Sequence, residues 1–137
     1  MAATLRSIDL SFNLLTSTVN IDILTNLREL DLSFNKIEVI EVVPKLANLR
    51  VLNLDFNKIT KIQKIRGLRK LERLSLQGNQ ISDLSCLEFV DPMIDLKELN
   101  LAQNKITNVQ DIKNMPNLDQ LNLSSNPISL IFPDAFA

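Results

Sequence analysis

The chain carries sixteen carboxylates, fifteen lysines and arginines, one cysteine (Cys86) and no histidine. Carboxylates can pass protons, attack as nucleophiles or hold a divalent cation, but each task needs groups brought into one pocket. No spacing in the sequence pairs two of them in that way. Without histidine there is no Ser-His-Asp or Cys-His site, and Cys86 alone cannot supply a thiolate zinc site. Glycine occurs only at Gly67 and Gly78, too sparsely for a phosphate-cradling loop. These residues predict a protein that is not an enzyme and needs no metal or cofactor. Its chemistry is recognition, and the candidates for that are acids and aromatics that recur at fixed positions.

The recurrence is plain in "DLSFN", which stands at 9–13 and again at 31–35, with "NLDFN" at 53–57. The asparagines that close these stretches continue along the chain as Asn13, Asn35, Asn57, Asn79, Asn104 and Asn126, with gaps of 22, 22, 22, 25 and 22 residues. Each ends the pattern L-x-x-L-x-L-x-x-N, with Ile8 replacing one leucine, and the six units start near Leu5, Leu27, Leu49, Leu71, Leu96 and Leu118. Two residues beyond each asparagine comes Leu15, Ile37, Ile59, Ile81, Ile106 or Ile128.

The spacing dictates local structure. In L-x-L the two leucines point to one face of a short strand and the residue between them to the other. One such strand cannot bury its leucines alone, but copies stacked in parallel can. The asparagine places a polar group at a buried turn, so its carboxamide needs partners, which the neighbouring unit's backbone can supply. An asparagine ladder is therefore expected. In the second half of each unit the apolar residues fall every third position, as in Ile59, Ile62, Ile65, Leu68 and Leu71. That period suits tight turns or 3₁₀ segments better than an α-helix, and Pro44 and Pro116 also oppose long helices.

On these six copies the chain resembles a leucine-rich repeat protein over nearly its whole length. The 22-residue unit is similar to the subclass typified by a regulatory subunit of protein phosphatase 1. The resemblance implies an α/β, right-handed solenoid with a parallel β-sheet on the concave face and short 3₁₀ or helical turns on the convex face. A single domain, residues 1–137, is expected. The fourth unit is longer by three residues, and "CLEFVDPMID", 86–95, is expected to bulge from its outer segment. At the C-terminal side, Ile131, Phe132 and Phe136 are expected to fold over the last repeat. The first repeat begins without a preceding amphipathic helix, so self-association through uncapped ends is a further expectation.

The strand positions that point away from the core carry five acids against one base. A mildly acidic concave face follows, suited to a folded and somewhat basic protein. Phe12, Phe34 and Phe56 hold one position in consecutive units, where strand spacing of about 4.8 Å lets their rings stack. The resemblance makes Asp9, Phe12, Glu29, Asp31, Phe34, Asp55 and Phe56 the candidate partner contacts, with a phosphatase catalytic subunit as the most specific candidate partner. A solvated sheet face and a purely structural aromatic ladder are the competing readings.

The sequence also admits other functions. A basic cluster, Lys58, Lys61, Lys64, Arg66, Arg69, Lys70 and Arg73, would serve a ribonucleoprotein component, but net charge is −1 and no aromatic is interleaved with these bases. Nucleic acid is thus disfavoured. An axonemal or cytoskeletal scaffold fits the same subclass. "NQISDLSCL", 79–87, is loosely similar to an internalin repeat, which would make the chain a bacterial adhesion module. "NLS" at 122–124 matches a glycosylation triplet but falls on an expected strand. The lone cysteine and an N-terminus without a signal pattern favour the cytoplasm or nucleus. No apolar run approaches the ~20 residues of a membrane span.

Overall fold

The computed structural model describes residues 4–41, 45–62, 65, 67–84, 92–109, 112 and 115–136. Each unit begins with a three-residue strand: β1 (Ser7–Asp9), β2 (Glu29–Asp31), β3 (Val51–Asn53), β4 (Arg73–Ser75), β5 (Glu98–Asn100) and, after the two-residue β6 (Asn108–Val109), β7 (Gln120–Asn122). These six form one parallel sheet in the order β1-β2-β3-β4-β5-β7. Register follows the sequence repeat, with Ile8 opposite Leu30, Leu30 opposite Leu52 and Leu52 opposite Leu74. Leu74 pairs with Leu99 across the longer gap, so the three extra residues leave the sheet undisturbed. The bulge expected at 86–95 falls largely outside the described residues.

The strand ends for a backbone reason. Phe12, Phe34, Phe56, Gln103 and Ser125 have φ between 52° and 56°, and Gly78 has φ 67°. The residue just before each asparagine is therefore left-handed in every unit, which costs a side-chain-bearing residue roughly 1–2 kcal/mol. The ladder offsets that cost, because these same residues still donate to the next unit: Phe12 N–H to the Ser33 carbonyl at 3.0 Å, Phe34 to Asp55 at 2.9 Å and Phe56 to Gln77 at 2.7 Å.

After the turn the chain runs back along the convex side. Ile37, Ile59, Ile81 and Ile106, two residues past their asparagines, are fully buried. Tight turns bring the chain to the following strand, with the N–H of Leu27, Leu49, Leu71, Leu96 and Leu118 each donating to the carbonyl three residues earlier. A 3₁₀ helix, Ile21–Ile23, lies in the first outer segment. In the last two, β6 pairs in parallel with β8 (Leu130–Ile131), a second small sheet that the three-residue period did not announce.

The core lies between sheet and outer segments, where Leu30, Leu32, Leu52, Leu54, Leu74, Leu76, Leu99 and Leu101 are all buried. The end units bury theirs only partly: Ile8, Leu10 and Leu15 at one end, Leu118, Leu121, Leu123 and Ile128 at the other. The expected C-terminal cover is corrected here. Ile131 and Phe136 are exposed, Phe132 is half-buried, and the residue that enters the core is Ala135. The Ala135 N–H donates to the Phe132 carbonyl at 3.0 Å, closing the tight turn in which Ala135 is buried.

Candidate functional site

The asparagines build the frame that holds the sheet. Asn57 Oδ1 accepts the N–H of Ile37 at 3.0 Å, and its Nδ2 donates to the carbonyls of Leu32 at 3.0 Å, Leu54 at 3.1 Å and Asp55 at 3.2 Å. Asn35, Asn79 and Asn104 repeat this pattern and all four are buried. Asn126 repeats it half-buried. Asn13 is exposed and reaches only the carbonyls of Leu10 and Ser11 in its own unit.

A second ladder of caps runs along the concave face, and the sequence reasoning missed it. The middle residue of each L-x-L accepts the N–H two residues on, as Asx turns do. Asp9 caps Ser11 at 2.8 Å, Asp31 caps Ser33 at 2.8 Å, Asn53 caps Asp55 at 3.0 Å, Asn100 caps Ala102 at 3.1 Å and Asn122 caps Ser124 at 3.0 Å. The fourth unit has Ser75 at this position, and there Asp55 reaches over from the preceding unit. Its Oδ1 accepts the Gln77 N–H at 2.7 Å and the Ser75 hydroxyl at 2.6 Å. The signal was present in the residue types D, D, N, S, N, N at one register position.

These roles separate the candidate contacts. Asp9, Glu29 and Asp31 come together with Ser7, Val51 and Asn53 around a shallow hollow of about 260 Å³. Hydrogen bonds from Ser11 hold the Asp9 carboxyl below its ordinary range. Burial pushes the Asp55 carboxyl up against the opposing bonds from Ser75 and Gln77, with Asp31 adding repulsion. Asp55 therefore works within the fold and lines neither concave hollow. The larger hollow, about 660 Å³, lies over β3, β4, β5 and β7 and is lined by Asn53, Arg73, Ser75, Glu98, Asn100 and Asp119 among others. None of the seven candidate contacts lines it. Across its floor Arg73 and Glu98 pair loosely at 3.8 Å.

The phenylalanines form a separate strip at the rim where the strands end. Ring centroids of Phe12 and Phe34 are 4.3 Å apart at 7°, and those of Phe34 and Phe56 4.6 Å apart at 19°. Exposure falls from 74% at Phe12 to 41% at Phe34 and 37% at Phe56. The stack ends on Gly78, where a Cβ would lie 2.5 Å from Phe56 Cδ1. Gly78 thus serves both its own left-handed turn and the close approach of that ring.

On the convex side Lys58, Lys61, Arg69 and Lys70 are exposed. Lys64 and Arg66 lie outside the described residues. Among the described residues no cluster of His, Cys, Asp or Glu could hold a metal ion, and no helix is long and apolar enough to cross a membrane.

Comparison with known proteins follows the same lines. Residues 25–81 match the family model described as leucine rich repeat, and residues 94–134 the model described as leucine rich repeats in two copies. The two stretches together span well over half of the chain, which belongs to the leucine-rich repeat family. Among solved structures, internalin C2 of Listeria monocytogenes is 34% identical with a TM-score of 0.81, over 91% of this chain and 54% of that one. A leucine-rich repeat protein of Leptospira interrogans is 32% identical with a TM-score of 0.82, over 94% of this chain and 37% of that one. The structure of TLR13 in complex with ssRNA13 is 26% identical with a TM-score of 0.86, over 98% of this chain and 20% of that one. The chain spans between a fifth and about half of the length of these proteins. No curated protein matches it.

Proposed function

We propose that the chain is a non-catalytic module that binds a folded protein on its concave face. The observation that carries this reading is the larger hollow: four neighbouring strands line one concavity of about 660 Å³. Its lining mixes one arginine, two acids and several carboxamides, a polar surface of the kind that makes specific hydrogen bonds rather than a purely hydrophobic contact. The separate phenylalanine strip at the strand-end rim supplies aromatic area of the sort concentrated in binding hot spots.

The test compares wild type with Glu29→Lys, Arg73→Glu and Glu98→Lys as baits. None of the three side chains caps a turn, so circular dichroism should match wild type. Proteins retained by wild type and lost with the charge reversals support concave docking. Identical recovery by all four baits removes it.

Within this reading, regulation of a phosphatase is the finer proposal, supported by the 22-residue unit and by no residue signature. Titration calorimetry with purified protein phosphatase 1 catalytic subunit decides it, and absence of binding at tens of micromolar ends it. The identity with internalin C2 favours a second reading, an adhesion-type module that docks a protein outside the cell. It uses the same face, and the identity of the captured partner separates the two.

A further inference from the structure

The residue that follows the first leucine of each unit forms a column along the opposite rim of the sheet, where the strands begin: Arg6, Arg28, Arg50, Glu72, Lys97 and Asp119. Arg50 is neutralised by Glu72 at 2.7 Å. Arg6 and Arg28 have no such partner among the described residues. Among the described residues no carboxylate lies within ion-pair distance of either guanidinium. Both side chains are exposed, and their backbones are joined by the Arg28 N–H donating to the Arg6 carbonyl at 2.7 Å. With Thr4, Asn26 and Asn48 they line a pocket of about 300 Å³. The Lys70 ammonium stands at its edge, donating to Asn48 Oδ1 at 3.0 Å. The nearest acid along the strand, Glu29, belongs to the concave face and is occupied there by the Ser7 hydroxyl at 3.3 Å.

Two like charges standing just before adjacent strands, about 4.8 Å apart at the backbone, repel one another unless an anion lies between them. Each guanidinium offers a planar fork of donors. A carboxylate carries a single negative charge, so between two guanidiniums it leaves one positive charge unbalanced. A phosphate monoester has three terminal oxygens and close to two negative charges near neutral pH, so it can engage both forks and balance both charges. We propose that Arg6 and Arg28 form a two-guanidinium clamp for a phosphate monoester dianion. The site lies on the rim outside both concave hollows, so it stands or falls independently of concave docking.

The test follows the arginine Nε–Hε and the backbone amide resonances by NMR during separate titrations. The probes are inorganic phosphate, a phosphoserine peptide, its unphosphorylated counterpart and acetate. Shifts confined to Arg6, Arg28 and their pocket neighbours are expected with both phosphate probes. Binding should strengthen between pH 5.5 and 7.5 as the phosphate reaches its dianion, with a second pKa near 6. Arg28→Gln should weaken it about tenfold or more, since a charge-assisted hydrogen bond is at stake. Arg28→Lys should restore part of the affinity, and Lys61→Gln, on the convex side, should leave it unchanged. Tighter binding of the phosphopeptide than of inorganic phosphate assigns the clamp to a phosphorylated side chain, and the reverse assigns it to a free anion. Equal shifts at Lys58 and Lys61, equal affinity for acetate, or no effect of Arg28→Gln overturns the proposal.

Discussion

Replacing Asn79 by alanine separates a buried ladder position from an open one. The carboxamide oxygen accepts the N–H of Ile59 at 3.0 Å, and Ile59 is fully buried. The amide donates to the Leu54 carbonyl at 2.9 Å and the Leu76 carbonyl at 3.0 Å. Those two carbonyls keep second donors, Asn57 and Asn104, so their loss is partial. The Ile59 N–H keeps none among the described bonds. An orphaned buried donor costs about 1–3 kcal/mol and each further bond about 1 kcal/mol, so Asn79→Ala should destabilise the fold by about 2–4 kcal/mol. Asn13→Ala removes bonds to Leu10 and Ser11 at an exposed site that water can refill, and should cost under about 1 kcal/mol. Urea unfolding followed by far-ultraviolet circular dichroism measures both. With a slope of about 2 kcal/mol per molar urea, the midpoint should fall by about 1–2 M for Asn79→Ala and by less than about 0.5 M for Asn13→Ala. Equal shifts would refute the reasoning, because stability would then not depend on whether the neighbouring unit closes over the carboxamide.

Gly78→Ala sets a methyl against the Phe56 ring at a φ that disfavours side chains. It should cost about 1–3 kcal/mol in the same assay, and Phe56→Ala should recover part of that loss in the double variant. Asp55 has a folded pKa raised by burial, so its contribution is fully present below the ordinary carboxylate value and is lost as pH rises through the raised one. Asp55→Asn keeps an oxygen for Ser75 and Gln77, so its stability should be flatter with pH across that window. An unchanged pH profile would place the titration elsewhere. Phe12→Ala removes only the outermost ring of the stack and should cost no more than about 1.5 kcal/mol by thermal melting. If the partly buried end units self-associate, light scattering should show mass rising with concentration, and a constant monomer mass would remove that idea.

The frame was legible because a repeat converts sequence spacing directly into strand register. The asparagine spacing located the sheet, and the longer gap before Asn104 could be placed outside it because Leu74 and Leu99 still keep the pattern. Less was legible where two units share one function. Asp55 looks like a free surface acid within its own unit. Only the serine at position 75 of the following unit explains why its carboxylate crosses over. The left-handed turn was equally hidden: phenylalanine is a poor marker of positive φ, and Gly78 alone hinted at what its register position demands. Arg6 and Arg28 were not legible because a basic residue after leucine is unremarkable until the third of the column, Arg50, is seen to be paired with Glu72 while, among the described residues, the first two have no carboxylate partner.

The cap ladder also changes which residues are free to recognise anything. The concave face counts as acidic only if every outward acid is available. Asp9, Asp31 and Asp55 each hold a backbone N–H, and a partner that claimed their oxygens would have to compensate the turns they close. The first outward position of each strand carries no such duty. It reads Ser7, Glu29, Val51, Arg73, Glu98 and Gln120, almost balanced in charge and different between every pair of neighbouring units. Variation is tolerated there because no strand-ending turn depends on the side chain, and a protein-binding surface needs variation of that kind to discriminate between partners. Specificity on this face should therefore follow the first column, and the second column should tolerate only residues that can still cap.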